Sequence, residues 1–187
     1  MWGSPPHMES AARVIQEVKG NKEQLVDAGA PDLHVLVAVT NADDHIYDGF
    51  DNCGERVAQE VSSVTRPPQI HLGSHGMKVY EEIDKLTAEG RTVTRFSILG
   101  YSMGGLIGRY LLGILHTRNF FDKITPVNFT TFATPHVGIP RYPGIRWSLA
   151  TTLVPVMLAK SGEQFVHADS WGNTGRSLLE VMADPST

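Results

Sequence analysis

The chain has one cysteine, Cys53, among 187 residues. That excludes an internal disulfide and a cysteine-based zinc site, and it fits a reducing compartment. There is no basic excess either. Sixteen Lys and Arg stand against 20 Asp and Glu, a formal net charge of -4, where a nucleic-acid-binding domain would carry a basic stripe. No nucleic-acid partner is therefore expected. A long apolar run is also missing. The longest, Trp147 to Ala159, falls short of the ~20 residues that span a bilayer. It suits a buried helix or an interfacial lid helix equally well. The first ten residues hold Pro5, Pro6 and Glu9 instead of the apolar centre of a signal peptide. These absences predict an intracellular protein, cytoplasmic or peripheral on a membrane.

What is present is enough for one packed domain over residues 1–187. Hydrophobic residues make up 41% of the chain and charged residues 19%, both ordinary for a globular protein. After Pro5 and Pro6, the residues Met8, Ala11, Ala12, Ile15 and Val18 share one helical face, and the pattern ends near Gly20. LHVLVAVT, from Leu33, is a continuous apolar and β-branched run, as expected for a parallel strand buried on both faces. TVTRFSIL, from Thr92, predicts a second strand, Gly104 to Leu115 a helix, and TPVNFTTFAT, from Thr125, a third strand. Strands alternating with helices predict the α/β class, with parallel crossovers.

One stretch breaks the alternation. A helix starting near Asn52 places Val57 and Val61 four apart. Residues 62–79, SSVTRPPQIHLGSHGMKV, then bring a Pro-Pro pair and two glycines, which a helix does not tolerate. YEEIDKLTAEG is helical again. Deleting these 18 residues restores an apolar stripe through 57, 61, 83 and 86. Two readings stand side by side: an insertion into a helix, such as a retained intron read in frame, and a surface loop between two short helices.

The chemistry centres on SILGYSMGGLIGRYLLG, residues 97–113. Gly100-Tyr101-Ser102-Met103-Gly104 has the G-x-S-x-G spacing, with a β-branched strand before it and an apolar helix after it. This spacing presents a serine hydroxyl on a strained turn clear of the sheet. Gly100 and Gly104, flanking the serine, are expected to let strand and helix pass closely. The helix amino terminus favours negative charge, and the Met103 N–H is the expected oxyanion donor. Ser102 is thus the candidate nucleophile. Gly105 and Gly108 are expected to pack the helix on the sheet.

A serine needs a base and an acid, in this architecture in the order Ser, Asp or Glu, His. After Ser102 come His116, His136 and His167, with Asp122, Asp169 and Asp184. His116 falls about four turns along the helix and points away. His136 closes the strand after the serine, at the carboxyl edge where ligands bind. It is expected to shape the site, as is Tyr101, with a general-base role the lesser alternative. His167 and Asp169 read as a cap or loop segment, and Asp184 as part of a fraying end. Asp43, Asp44, Asp48 and Asp51 lack calcium-loop spacing. They read as loop solvation and helix capping by Asp51 or Asn52. Glu55 and Arg56 are a candidate structural contact. Cys53, near a helix start, is either a thiol of lowered pKa or a packed thiol. No metal or organic cofactor is called for.

Several blocks are more specific than the pentapeptide: WGSPPHM, NADDHIYDGFDNCGERVAQEV, FFDKITPVNFTTFATPHVGIP and GRSLLEVMADP. Together with FSILGYSMGGLIGRY they resemble a family of serine esterases related to lipases, found in fungi and other eukaryotes. Some of its members are lipid-droplet-associated phospholipases. The resemblance covers almost the whole chain outside 62–79. It implies an α/β-hydrolase fold, here an incomplete parallel sheet with flanking helices, and hydrolysis of acyl esters of phospholipids or acylglycerols through Ser102. The implied partners are a lipid ester and the surface of a membrane or lipid droplet. Residues 140–187 become a candidate cap or lid. Family members carry His-Gly-Leu before the Trp-Gly pair, which supplies a second oxyanion N–H, and their acid and histidine lie further downstream. The chain begins at Met1-Trp2-Gly3 and stops at Thr187. The expectation is therefore a hydrolase domain truncated at both ends, with impaired activity. The alternative is a non-catalytic module of the same fold that binds a lipid surface or a protein.

Overall fold

A computed structural model describes residues 5–20, 33–38, 40–41, 43–61, 79–139 and 145–186. The order of elements is α1 (Pro5–Gly20), a 3-10 turn (Asp43–Tyr47), α2 (Phe50–Val61), α3 (Val79–Ala88), β1 (Arg95–Tyr101), α4 (Met103–Thr117), a second 3-10 turn (Phe120–Asp122), β2 (Thr125–Phe132), α5 (Ile145–Phe165) and α6 (Leu178–Ala183). Helices and a small parallel sheet are mixed, which is compatible with the α/β class. The reading of 62–79 as an insertion falls, up to residue 78, outside the described residues.

β1 and β2 pair in parallel, with Arg95 opposite Thr125 and Tyr101 opposite Phe132. The register slips by one residue between Phe96 and Ser97. The extra residue on β2 follows Pro126, which has no N–H to give to a ladder. The expected strand from Leu33 is not formed: residues 33–38 are irregular, and the sheet among the described residues has two strands. An apolar, β-branched run becomes a strand only where a neighbouring strand receives its peptide groups. Here Leu33 and Leu36 remain exposed.

The core lies where α4 meets α2. Leu106, Ile107, Leu111, Ile114 and Leu115 of α4 are buried with Phe50, Cys53, Val57 and Ala58 of α2. Leu86 is buried as well, and Ile83 packs against the cluster. Val57 and Ile83 of that stripe therefore face one core from two helices. Phe96 meets Phe120 edge-on at 5.3 Å, and Phe50 meets Phe165 edge-on at 5.0 Å.

Phe165 reaches the core because α5 is broken. Pro155 sits inside it, and Ala159 has non-helical angles, φ 45 and ψ -132. Past this kink, Gly162 lies so close to the Val154 carbonyl that a Cβ there would stand 2.4 Å from its oxygen. The second piece, 160–165, turns three polar side chains onto the start of α2. Ser161 Oγ accepts from the Gly49 N–H at 3.1 Å and donates to the Ile46 carbonyl at 2.7 Å. Gln164 accepts from the Phe50 N–H through Oε1 at 2.6 Å and donates to Asp51 Oδ1 at 2.9 Å. Lys160 Nζ reaches Asp51 Oδ2 at 2.7 Å. The buried members, Ser161, Gln164 and Asp51, are all paired, the condition under which a polar network rigidifies a core, and the exposed Lys160 closes it at the surface.

These contacts decide three local expectations. Asp51 does not cap α2, because its carboxylate is taken by Lys160 and Gln164, and the Asn52 amide donates instead to the Asp48 carbonyl at 2.9 Å. Glu55 pairs with Arg118 at 3.0 Å, and Arg56 with Asp48. Cys53 is a packed thiol. Burial pushes its pKa up to about 11 against the opposing charge of Arg56, and its Sγ lies 3.3 Å from the His45 carbonyl.

Asp51→Ala strips Gln164 and Lys160 of their acceptor at a buried position. We expect a loss of about 2–3 kcal/mol in urea unfolding. A loss under about 0.5 kcal/mol would mean that the cluster does not hold α5 on α2.

Candidate active site

Ser102 is the single residue between β1 and α4. Its angles are φ 53 and ψ -125, a sparsely populated region for a residue with a Cβ that costs roughly 1–3 kcal/mol. Its surroundings impose it. The Ser102 N–H donates to the Phe132 carbonyl at 2.8 Å. Its own carbonyl accepts from the Gly105 N–H at 3.1 Å and from Thr134 Oγ1 at 2.9 Å. The side chain is half-buried, and among the described residues no group hydrogen-bonds its hydroxyl. Next to it the backbone N–H groups of Met103 and Gly104 begin the helix, where amides lack intrahelical acceptors. The Met103 side chain is buried in the core, so this residue offers the site only its backbone.

Small residues make the junction fit. A Cβ on Gly100 would lie 2.6 Å from the Gly105 Cα, and one on Gly105 would lie 2.2 Å from Thr134 Oγ1. At Gly108 the fit is looser, with a Cβ 3.1 Å from Phe129 and 3.3 Å from Ile98. Gly104 has nothing within 4 Å of that position, so the close approach lies at Gly100 and Gly105.

His136 stands in the loop after β2. Its Nε2 lies 2.9 Å from Thr131 Oγ1, and its ring meets Phe129 edge-on at 6.3 Å. Arg109 Nη1 donates to its carbonyl at 2.8 Å. Burial, and then the Arg109 charge, hold its pKa below the ordinary imidazole value. The structure therefore joins His136 to Thr131 and Arg109, with no contact to Ser102. Tyr101 and Phe132, at facing strand ends, are both largely exposed beside Ser102, and Val137 is 76% exposed.

The other candidates lie apart. His116 is exposed in the last turn of α4, about 21 Å along the axis from Ser102. Asp122 is exposed in its 3-10 turn. His167 bridges loops: Nδ1 is 2.7 Å from Ser177 Oγ and Nε2 is 2.9 Å from the Val137 carbonyl. Asp169 Oδ2 accepts from the Leu178 N–H at 2.9 Å, while its buried Oδ1 has no partner among the described residues. Asp184 is tied down, not frayed. Ser186 and Arg176 hydrogen-bond its carboxylate and hold its pKa well below the usual range.

Thr134 and Arg109 join the site only through the fold. Arg109 also donates to the Met182 carbonyl at 3.2 Å. Nothing in their local pattern marks them, although Thr134 lies inside the distinctive FATPH block. A shallow groove of about 130 Å³ lies along the strands, lined by Phe96, Ile98, Leu112 and residues 126–129. It does not include Ser102. Among the described residues, no group of three or more His, Cys, Asp or Glu is placed to hold a metal ion, and no helix is long and apolar enough to cross a membrane.

Gly105→Ala should destabilise the fold by about 1–3 kcal/mol through overpacking against Thr134. Gly104→Ala should be neutral or gain up to about 1 kcal/mol from helix propensity. Chemical denaturation of the pair checks the order, and equal effects would contradict the packing described. His136 should titrate below 6.5 when followed by NMR. Because the fold prefers the neutral ring, the stability it contributes is present above that pH. It is lost as pH falls from 6.5 to the folded-state value. A midpoint above 6.5 would refute this.

Two curated proteins are similar to part of the chain. It is 31% identical over 102 residues to Putative lipase C4A8.10 of Schizosaccharomyces pombe, covering 50% of this chain and 12% of that protein. It is 29% identical over 102 residues to Putative lipase YDL109C of Saccharomyces cerevisiae, covering 51% of this chain and 14% of that protein. The chain thus matches a small fraction of the length of these relatives. No solved structure is significantly similar to it. The family described as Putative serine esterase (DUF676) matches residues 1–187, from end to end, and the chain belongs to that family.

Proposed function

We propose that the chain carries the nucleophile half of a serine ester hydrolase of the α/β-hydrolase type, acting on acyl esters of lipids. The observation that carries this reading is the backbone of Ser102. It has a positive φ between a strand end and a helix start, and its side chain forms no hydrogen bond among the described residues. In the reaction Ser102 Oγ attacks the acyl carbonyl carbon and its proton passes to a base. The carbonyl oxygen takes the negative charge beside the Met103 N–H. Among the described residues no histidine hydrogen-bonds Ser102, so the base and the acid that this reaction needs are not identified there.

A lipid substrate is supported by Tyr101 and Phe132, two large side chains exposed at the strand ends beside Ser102. On α5, Leu153, Val156 and Met157 are exposed at helical spacing, as a cap or lid meeting lipid requires. We extend the reading to a location inside the cell, in the cytoplasm or peripheral on a membrane or lipid droplet. The two yeast relatives carry the name putative lipase, which agrees with a lipid ester as substrate.

A second reading keeps the fold without the reaction, as a module that binds a lipid surface or a protein. It is favoured by the exposed length of β2, and among the described residues no histidine hydrogen-bonds Ser102.

Treating the full-length protein with a fluorophosphonate decides between them. We expect an adduct on the peptide containing Ser102. Ser102→Ala should abolish it and lower ester hydrolysis by about 10⁴-fold or more, with liposome flotation unchanged. Flotation without any adduct at Ser102 would overturn the hydrolase reading.

A further inference from the structure

Ser102 and Met103 share one peptide unit, and this gives Thr134 a role. In a planar trans peptide the C=O and N–H point in opposite directions. Whatever holds the Ser102 carbonyl therefore also aims the Met103 N–H. Two donors hold that carbonyl. The Gly105 N–H, at 3.1 Å, belongs to the helix's own first turn. The other is Thr134 Oγ1, at 2.9 Å, from the far end of β2. It is the one side-chain contact to this peptide among the described residues.

Thr134 is itself held firmly. It follows Ala133, another residue of positive φ, at 50. The next residues are pinned on three sides: Arg109 donates to the His136 carbonyl at 2.8 Å, His167 Nε2 meets the Val137 carbonyl at 2.9 Å, and the Ile139 N–H donates to the Phe165 carbonyl at 2.7 Å. The β-branched side chain is stiff at χ1. The absence of a Cβ at Gly105, which would lie 2.2 Å from Thr134 Oγ1, opens the path to Ser102.

We propose that Thr134 is the positioning residue of this site: its hydroxyl locks the Ser102–Met103 peptide and thereby aims the Met103 N–H at the developing oxyanion. The proposal rests on the hydrolase reading above. An oxyanion donor acts on the transition state, so its misalignment lowers kcat and leaves KM alone.

The test compares Thr134→Val, which keeps the shape and loses the hydroxyl, with Thr134→Ser, which keeps the hydroxyl, in the full-length protein. With a soluble p-nitrophenyl ester, Thr134→Val should lose about tenfold in kcat, the value of one hydrogen bond. Its KM should stay within about twofold, and its fluorophosphonate labelling should slow in parallel. Thr134→Ser should recover kcat to within about threefold of wild type. Unchanged kcat in the Val variant, equal losses in both variants, or a change confined to KM would each overturn the proposal. If Thr134→Val does not fold, Thr134→Ala removes the same hydroxyl and is judged by the same criteria. Failure of the hydrolase reading shows separately, as a wild-type protein with no adduct at Ser102. In that event crystal structures of wild type and Thr134→Val still decide on the lock. A rotated 102–103 peptide in the variant supports it, and an unmoved peptide refutes it.

Discussion

The contact on which the rest depends is the passage of α4 over the end of β1 with no side chain between them. Gly100 and Gly105 meet backbone to backbone, and only that lets one residue, Ser102, join strand to helix. The strain at Ser102 follows from the short connection. Three hydrogen bonds to its peptide groups, two of them reaching to β2 and the turn beyond it, sustain it. A side chain at position 105 would collide with Thr134, so the same glycine sets both the packing and the hydrogen bond.

The second constraint lies away from the serine. The kink at Ala159 brings residues 160–165 back onto the start of α2, where Ser161, Gln164 and Lys160 meet the peptide groups of 46–50 and the carboxylate of Asp51. This clamp explains why the YDGFD stretch is so particular. Gly49 has φ 102 and lies against the Lys160 side chain, and Asp51 is nearly buried between its two partners. The charge of Asp51 is spent inside the fold, while the partly exposed Asp48 pairs with Arg56.

The exposed surfaces have a different origin. β2 is open to solvent over most of its length, and its apolar residues Val127, Phe129 and Phe132 are among the exposed ones. One side of the small sheet is covered by α4 through Gly108, Phe129 and Ile98. The chain belongs to a family described as putative serine esterase, and it is similar to the two yeast relatives over 12% and 14% of their length.

By itself the sequence determined what local chemistry can encode. It gave the strand–serine–helix order around Gly100 and Gly104, the starts of α2 and α4, the strand from Thr125, and the absence of any disulfide. These follow from periodicity, glycine placement and composition, which act over a few residues. The tertiary structure decided what needs a distant partner. It left 33–38 irregular although its composition favours a strand. It turned Asp51 from a helix cap into a buried anchor 109 residues from Lys160, and it raised the Cys53 pKa by burial where the helix start alone would lower it. It also set Thr134 against the carbonyl of Ser102, 32 residues away. Hydrogen bonds and desolvation depend on separation in space, and only the fold fixes that separation.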